Sequence, residues 1–203
     1  MDADTPLIVS VLAGGRSRRM GRDKTRLALG GVTLIERVLA AAAPLGWPRQ
    51  VLANQPELLA DLGIPVHADL RPGLGPLGGL HTALTLAAPA AVLLLAGDLP
   101  FLTPAFLAFL VQLRGGWPAV VPQGPRGLQP LCAVYGPECL PVVTTALDRG
   151  DLRAQSLAEQ LQPRLVASQE WRPYDPEGRL LDNLNTPEDY QAALGRLEEP
   201  RSE

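Results

Sequence analysis

Residues 12–24 read LAGGRSRRMGRDK, and they hold the densest group of residue types in the chain that could do chemistry. Gly14 and Gly15 let backbone N–H groups approach a ligand with no Cβ in the way. Arg16, Arg18, Arg19, Arg22 and Lys24 place cationic donors around the same space, which suits a polyphosphate. The chain has 18 Lys plus Arg, and Lys24 is the one lysine among them. A lone lysine in an arginine-rich chain points to a place where a compact ammonium is needed and a forked guanidinium does not fit. Arg26, just beyond, reads as an ordinary helix-approach charge. A second chemical group is Asp98, which follows the apolar run Ala91-Val92-Leu93-Leu94-Leu95-Ala96. A carboxylate at the end of a buried strand can hold Mg²⁺ against phosphate oxygens; its plainer role is to form the turn ahead of Pro100. The only asparagines are Asn54, Asn183 and Asn185. Asn183 and Asn185 alternate, so an extended backbone puts both amides on one face, able to fix a phosphate or a metal-bound water.

These groups need a scaffold, and the hydrophobic pattern predicts one. Residues 7–11 (LIVSV), 50–53, 64–67, 91–96, 119–121, 130–135 and 165–167 read as strands, the 64–67 strand Pro-marked and near an edge. Helices are expected over 33–43, 56–62, 80–87, 103–113, 137–147, 152–161 and 186–197. The first opens on the capping box Thr33-Leu34-Ile35-Glu36, and Thr103-Pro104 starts another. Strands alternating with helices predict a single-domain α/β three-layer sandwich, a mostly parallel twisted sheet with helices on both faces. In such sheets ligands bind at the carboxyl ends of strands where strand order reverses. One domain over residues 1–197 is expected, with 198–203 as a frayed tail.

Composition narrows the function classes. Hydrophobic residues are 46% and charged residues 19%, which excludes a disordered chain. The net charge of -3 gives no global basic field for nucleic acid; the basic cluster is local and suits a small anion. No apolar run is long enough to span a bilayer, and the acidic start Met1-Asp2-Ala3-Asp4 is no secretory signal, so a cytoplasmic protein is expected. Cys132 and Cys139 have no metal or redox spacing and read as buried thiols. His67 and His81 read as structural, with no hydrolase triad in sight. Gly73, Gly75 and Gly78 spell G-x-G-x-x-G, but Asp69, Arg71 and Pro72 stand between them and the preceding strand and Pro76 sits inside, so a dinucleotide fingerprint is set aside.

LAGG-x-S-x-R-M-G-x-D-K resembles the signature loop of the nucleotidyltransferases that activate cofactors and sugars, and its LAGG form most resembles the molybdenum cofactor guanylyltransferases. AGDLP (96–100), GPLGG (75–79) and NLNTPE (183–188) resemble that family's further motifs in order. The resemblance implies a Rossmann-like nucleotidyltransferase fold. It also implies Mg²⁺ (or Mn²⁺) on Asp98, phosphates on Lys24 and Arg19, and backbone groups of Leu12, Ala13 and Gly14 at the base. Gly15, Asn54, Asp69 and Gly79 would complete the nucleotide site, and Asn183 and Asn185 would lie on the acceptor side. Gln129-Pro130-Leu131 resembles the segment near the family's pterin pocket.

The implied reaction is transfer of GMP from Mg-GTP to the phosphate of molybdopterin-bound molybdenum cofactor, with release of pyrophosphate. Implied partners are GTP, the molybdopterin cofactor, a molybdenum-insertion protein, and acceptor molybdoenzymes or their chaperones. The alternatives are a cytidylyltransferase on the same or another phosphorylated acceptor, whose relatives carry LAAG where this chain has Gly14, and a non-catalytic nucleotide-binding accessory protein.

Overall fold

The first strand is longer than its apolar run. In a computed structural model of the chain, β1 spans Leu7–Ala13, carrying the extended backbone to the threshold of the glycine turn. The structure describes residues 1–2, 4–14, 24–124, 127–184 and 186–198. A two-stranded hairpin follows, β2 (Ala28–Leu29) with β3 (Val32–Thr33), and leads into α1 (Leu34–Ala42). The helix starts at the expected capping box. The Glu36 N–H donates to Thr33 Oγ1 at 3.4 Å, and the Thr33 N–H donates to Glu36 Oε2 at 2.8 Å. That hydrogen bonding holds the Glu36 carboxyl below the usual carboxylate range. Thr33→Ala should cost about 1 kcal/mol, read as a lower urea midpoint with an unchanged slope.

Strand β4 (Arg49–Ala53) comes next, then the tight helical turns Pro56–Leu62 and the two-residue strand β5 (Val66–His67). Helix α2 (Gly75–Ala87) leads to β6 (Ala91–Ala96), and α3 (Pro104–Gln112) to β7 (Ala119–Gly124). Beyond lie β8 (Gly127–Leu128), β9 (Cys132–Tyr135), α4 (Leu140–Asp148), α5 (Ala154–Gln160), β10 (Arg164–Val166), α6 (Ser168–Trp171) and α7 (Pro187–Glu198).

The main sheet runs β5-β4-β1-β6-β9-β7-β10, with β8 on β7. β5, β4, β1 and β6 pair in parallel, and only β9 runs against its neighbours β6 and β7 along that path. The mixed sheet is therefore mostly parallel, as expected. Alternation builds two cores from one sheet. Val9, Val11, Leu93 and Leu95 bury against α1 and α3, while Leu52, Val92 and Leu94 bury against α2 and α4. Every residue of β6 is buried.

Topology then locates the site. From β1 the chain steps outward to β4 through α1; after β5 it returns across β1 to β6 through α2. Strand order reverses beside β1, so the carboxyl ends of β1, β4 and β6 meet at a switch point.

One boundary differs from expectation. α2 begins at Gly75, so GPLGG forms its opening turns and is no loop ahead of Leu80. Pro76 fits the first turn, where its missing N–H has no partner to lose. Gly78 and Gly79 are buried: a Cβ on Gly79 would fall 2.7 Å from Leu12 Cδ2, and one on Gly78 3.1 Å from the Arg71 carbonyl oxygen. Close packing of α2 on β1 demands glycine where helix propensity argues against it. Two of the G-x-G-x-x-G glycines, Gly75 and Gly78, lie in this helix, but seven residues separate Gly75 from β5.

Candidate functional site

Three strand ends bring three groups together. At the end of β1, Gly14 turns at φ +119°, a conformation L side chains rarely adopt, and its missing Cβ would lie 3.5 Å from Asn54 Nδ2. Asn54 is the exposed residue directly after β4, one strand over. On the other flank β6 ends at Ala96. The Gly97 N–H donates to the Leu12 carbonyl at 2.9 Å, fastening the start of the Asp98 turn to β1.

Asp98 is partly buried, and the motif residue Asn183 reaches it across 85 positions of sequence: Asn183 Nδ2 donates to Asp98 Oδ1 at 3.1 Å. The Leu184 N–H donates to the Asp98 carbonyl at 3.2 Å, so side chain and backbone of the two motifs are clipped together. Thr186 caps α7, its Oγ1 accepting from the Asp189 N–H at 3.1 Å, which holds the motif's far end. A carboxylate oriented by an amide suits Mg²⁺, which takes one or two protein carboxylates and fills its shell with phosphate and water. Among the described residues no three His, Cys, Asp or Glu side chains gather into a metal cage.

Lys24 opens the short turn Lys24–Arg26. Its neighbour Thr25 is 5% exposed, and a Cβ on Gly97 would stand 3.0 Å from Thr25 Cγ2 and 2.9 Å from the Leu12 carbonyl oxygen. The backbone at Lys24 is therefore packed beside the turn that carries Asp98. Gly97→Ala must push β1 and Thr25 apart and should cost about 1–3 kcal/mol, read as a lowered denaturation midpoint.

Asp69 lies on the segment between β5 and α2, partly buried, and burial raises its carboxyl pKa. That segment is anchored near its middle by two adjacent residues. The Leu70 N–H donates to Thr82 Oγ1 at 3.0 Å, and Arg71 Nη2 donates to Asp148 Oδ1 of α4 at 2.7 Å. His81, on α2, has its pKa lowered by burial and by Arg71, and its buried Nδ1 has no hydrogen-bond partner among the described residues. Leu12 is partly buried and Ala13 buried at the end of β1. Gly15, Arg19 and Asn185 lie outside the described residues, as do Arg16, Arg18 and Arg22. Gln129 stands on the β8–β9 connection, with Nε2 3.1 Å from where a Gly124 Cβ would be. Cys132 and Cys139 are buried free thiols, pushed up to about 12 by burial.

Arg26, expected as an ordinary helix-approach charge, has a specific partner: its guanidinium forks onto both oxygens of Asp61 and onto the Leu58 carbonyl. Thr25 was invisible to sequence reasoning because its burial depends on Gly97, which is distant in sequence; a threonine directly after the lone lysine was the available signal. A groove of about 310 Å³ lined by Pro141, Thr145, Arg149, Asp151 and Gln160 touches none of the strand-end residues.

A mostly parallel sheet that gathers a glycine turn, an amide and an amide-held carboxylate at adjacent carboxyl ends defines an α/β protein with a candidate ligand site at its switch point. Residues 9–165 match the MobA-like NTP transferase domain, and the chain belongs to that family. It is 38% identical over 198 residues to the "Probable molybdenum cofactor guanylyltransferase" of Chloroflexus aggregans, covering 91% of this chain and 93% of that protein. It is 31% identical over 203 residues to the "Molybdenum cofactor guanylyltransferase" of Desulfosudis oleivorans, with 99% of each chain covered. The crystal structure of molybdopterin-guanine dinucleotide biosynthesis protein A from Archaeoglobus fulgidus is similar at a TM-score of 0.81 and 28% identity, over 94% of this chain and 98% of that one. Among the described residues no helix is long and apolar enough to cross a membrane.

Proposed function

We propose that the protein transfers GMP from Mg-GTP to the terminal phosphate of molybdopterin-bound molybdenum cofactor. An acceptor phosphate oxygen bonds to the α-phosphorus as the bond to the bridging oxygen breaks, and pyrophosphate leaves. The observation that carries this reading is the meeting of Gly14 with Asn54 and of Asp98 with Asn183 at neighbouring strand ends, with the Lys24 turn packed on Gly97. The relatives' names, at 31–38% identity over nearly the whole chain, support the choice of donor and acceptor.

In-line phosphoryl chemistry asks the protein for positioning and charge neutralisation more than for covalent steps. Asp98, oriented by Asn183, would hold Mg²⁺, which when bound neutralises phosphate charge. Lys24 and Arg19 would bind the triphosphate, and an ammonium at Lys24 would stabilise the charge that develops on the leaving pyrophosphate. Backbone groups of Leu12, Ala13 and Gly14, together with Gly15, Asn54, Asp69 and Gly79, bind the nucleoside. Asn183 and Asn185 are assigned to the acceptor side by their likeness to the family's motif. Delivery of the acceptor by a molybdenum-insertion protein, onward transfer to molybdoenzymes or their chaperones, and a cytoplasmic location belong to the same proposal. The two buried free thiols suit that compartment.

Turnover decides between donors. Purified protein with Mg²⁺ and molybdenum cofactor should release pyrophosphate from GTP at least about tenfold faster than from CTP, a difference a few base contacts can supply. Equal or faster turnover of CTP would make the chain a cytidylyltransferase, and no release from either would favour the non-catalytic reading.

A further inference from the structure

Three consecutive residues after Lys24 are fastened to three different elements. Thr25 is buried against Gly97 at the end of β6. Arg26 turns to the opposite flank of β1. Its Nη1 donates to Asp61 Oδ2 at 2.8 Å, and its Nη2 donates to Asp61 Oδ1 and to the Leu58 carbonyl. Leu58 and Asp61 belong to the helical turns Pro56–Leu62 that follow Asn54. The forked contact holds the Asp61 carboxyl below the usual carboxylate range, with the Arg26 hydrogen bond as the main cause. The Leu27 carbonyl then accepts from the Leu34 N–H at 3.0 Å, at the start of α1.

Stability alone gives little reason for this. Asp61 is 64% exposed in its side chain, and ion pairs at such sites contribute little to folding. What the fork does well is fix geometry, since a planar guanidinium on two carboxylate oxygens and a carbonyl leaves the backbone few other positions.

We propose that Thr25 and Arg26 are positioning residues that clamp the Lys24 turn between the metal-side end of β6 and the nucleoside-side turn after β4, and so set where Lys24 stands relative to Asp98. The proposal rests on the nucleotidyl-transfer reading above and deepens it. Neither side chain touches the reacting atoms; both act through Lys24.

The test uses the full-length protein. Arg26→Ala should lower kcat for pyrophosphate release about tenfold while KM for GTP changes less, because misplacement of a charged group is felt most in the transition state. The reversed pair, Arg26→Asp with Asp61→Arg, should recover kcat to within about threefold of wild type. In a Lys24→Ala background, Arg26→Ala should change kcat by less than about twofold, which a merely structural role would not produce. A further readout needs no turnover. Lys24 is the sole lysine, so reductive ¹³C-methylation gives one lysine resonance besides the amino terminus. Arg26→Ala should move that resonance towards its position in the urea-unfolded chain, and the reversed pair should return it. An Arg26→Ala protein with wild-type kcat, an undiminished effect in the Lys24→Ala background, or an unmoved resonance would overturn the proposal. Should wild-type protein itself fail to turn over GTP, the transfer reading fails, and the resonance still decides whether Arg26 places Lys24.

Discussion

Asp98→Ala is expected to abolish pyrophosphate release, by about a thousandfold or more, while the protein stays folded. The loss is large because a single carboxylate here would both hold the metal and fix where the triphosphate lies, and removing one group aimed at developing charge already costs about a hundredfold to a thousandfold. The fold should tolerate the change. Asp98 is only partly buried, and its backbone carbonyl still accepts from the Leu184 N–H. Asn183 loses its 3.1 Å partner but can turn to water. The melting temperature should therefore fall by no more than about 3 °C. Pyrophosphate release followed beside a thermal melt checks both halves. Full activity in Asp98→Ala, still dependent on Mg²⁺, would remove the assignment.

The second large effect is expected at Lys24. Lys24→Ala should lower kcat about a hundredfold to a thousandfold, the usual cost of losing one preorganised cation or donor at a site of growing charge. KM for GTP should rise less, since binding also draws on the strand-end groups. Lys24→Arg is the sharper variant. It keeps the charge, and this chain carries arginine at every other cationic position apart from its histidines. If a compact ammonium is what the triphosphate requires, arginine should recover only part of the activity. Steady-state kinetics of the two variants decide, and full activity in Lys24→Arg would show that the lone lysine is an accident of composition.

Much of the scaffold was legible because local signals agreed with the tertiary fold. The six-residue apolar run of β6 could hardly be other than a central strand, and the Thr33–Glu36 box set the start of α1. Thr103, whose Oγ1 accepts from the Phe106 N–H at 3.3 Å, did the same for α3. The β2–β3 hairpin was illegible because two residues per strand carry no period. The start of α2 was missed for a different reason. Gly-Pro-Leu-Gly-Gly looks like loop by propensity, and only the proximity of Leu12 and Arg71 explains why glycines belong in that helix.

The same division runs through the candidate site. Gly14, Asn54 and Asp98 could be expected together from strand ends alone, because parallel topology places carboxyl ends on one side. The motif around Asn183 was visible as a motif, but its hydrogen bond to Asp98 spans 85 residues and no local pattern encodes it. Thr25 on Gly97 and Arg26 on Asp61 are long-range partnerships of the same kind. They appear only once β4, β1 and β6 lie side by side.

In the proposed reaction the ammonium of Lys24 and the carboxylate of Asp98 serve one triphosphate at the switch point beside β1. A crystal structure of the protein with Mg²⁺ and GTP tests it most directly. Lys24 Nζ should lie within hydrogen-bond distance of a phosphate oxygen and Asp98 should reach the same triphosphate through the metal, with the guanine near Gly14 and Asn54. A nucleotide bound elsewhere, or Lys24 and Asp98 pointing into separate crevices with GTP touching only one of them, would contradict it.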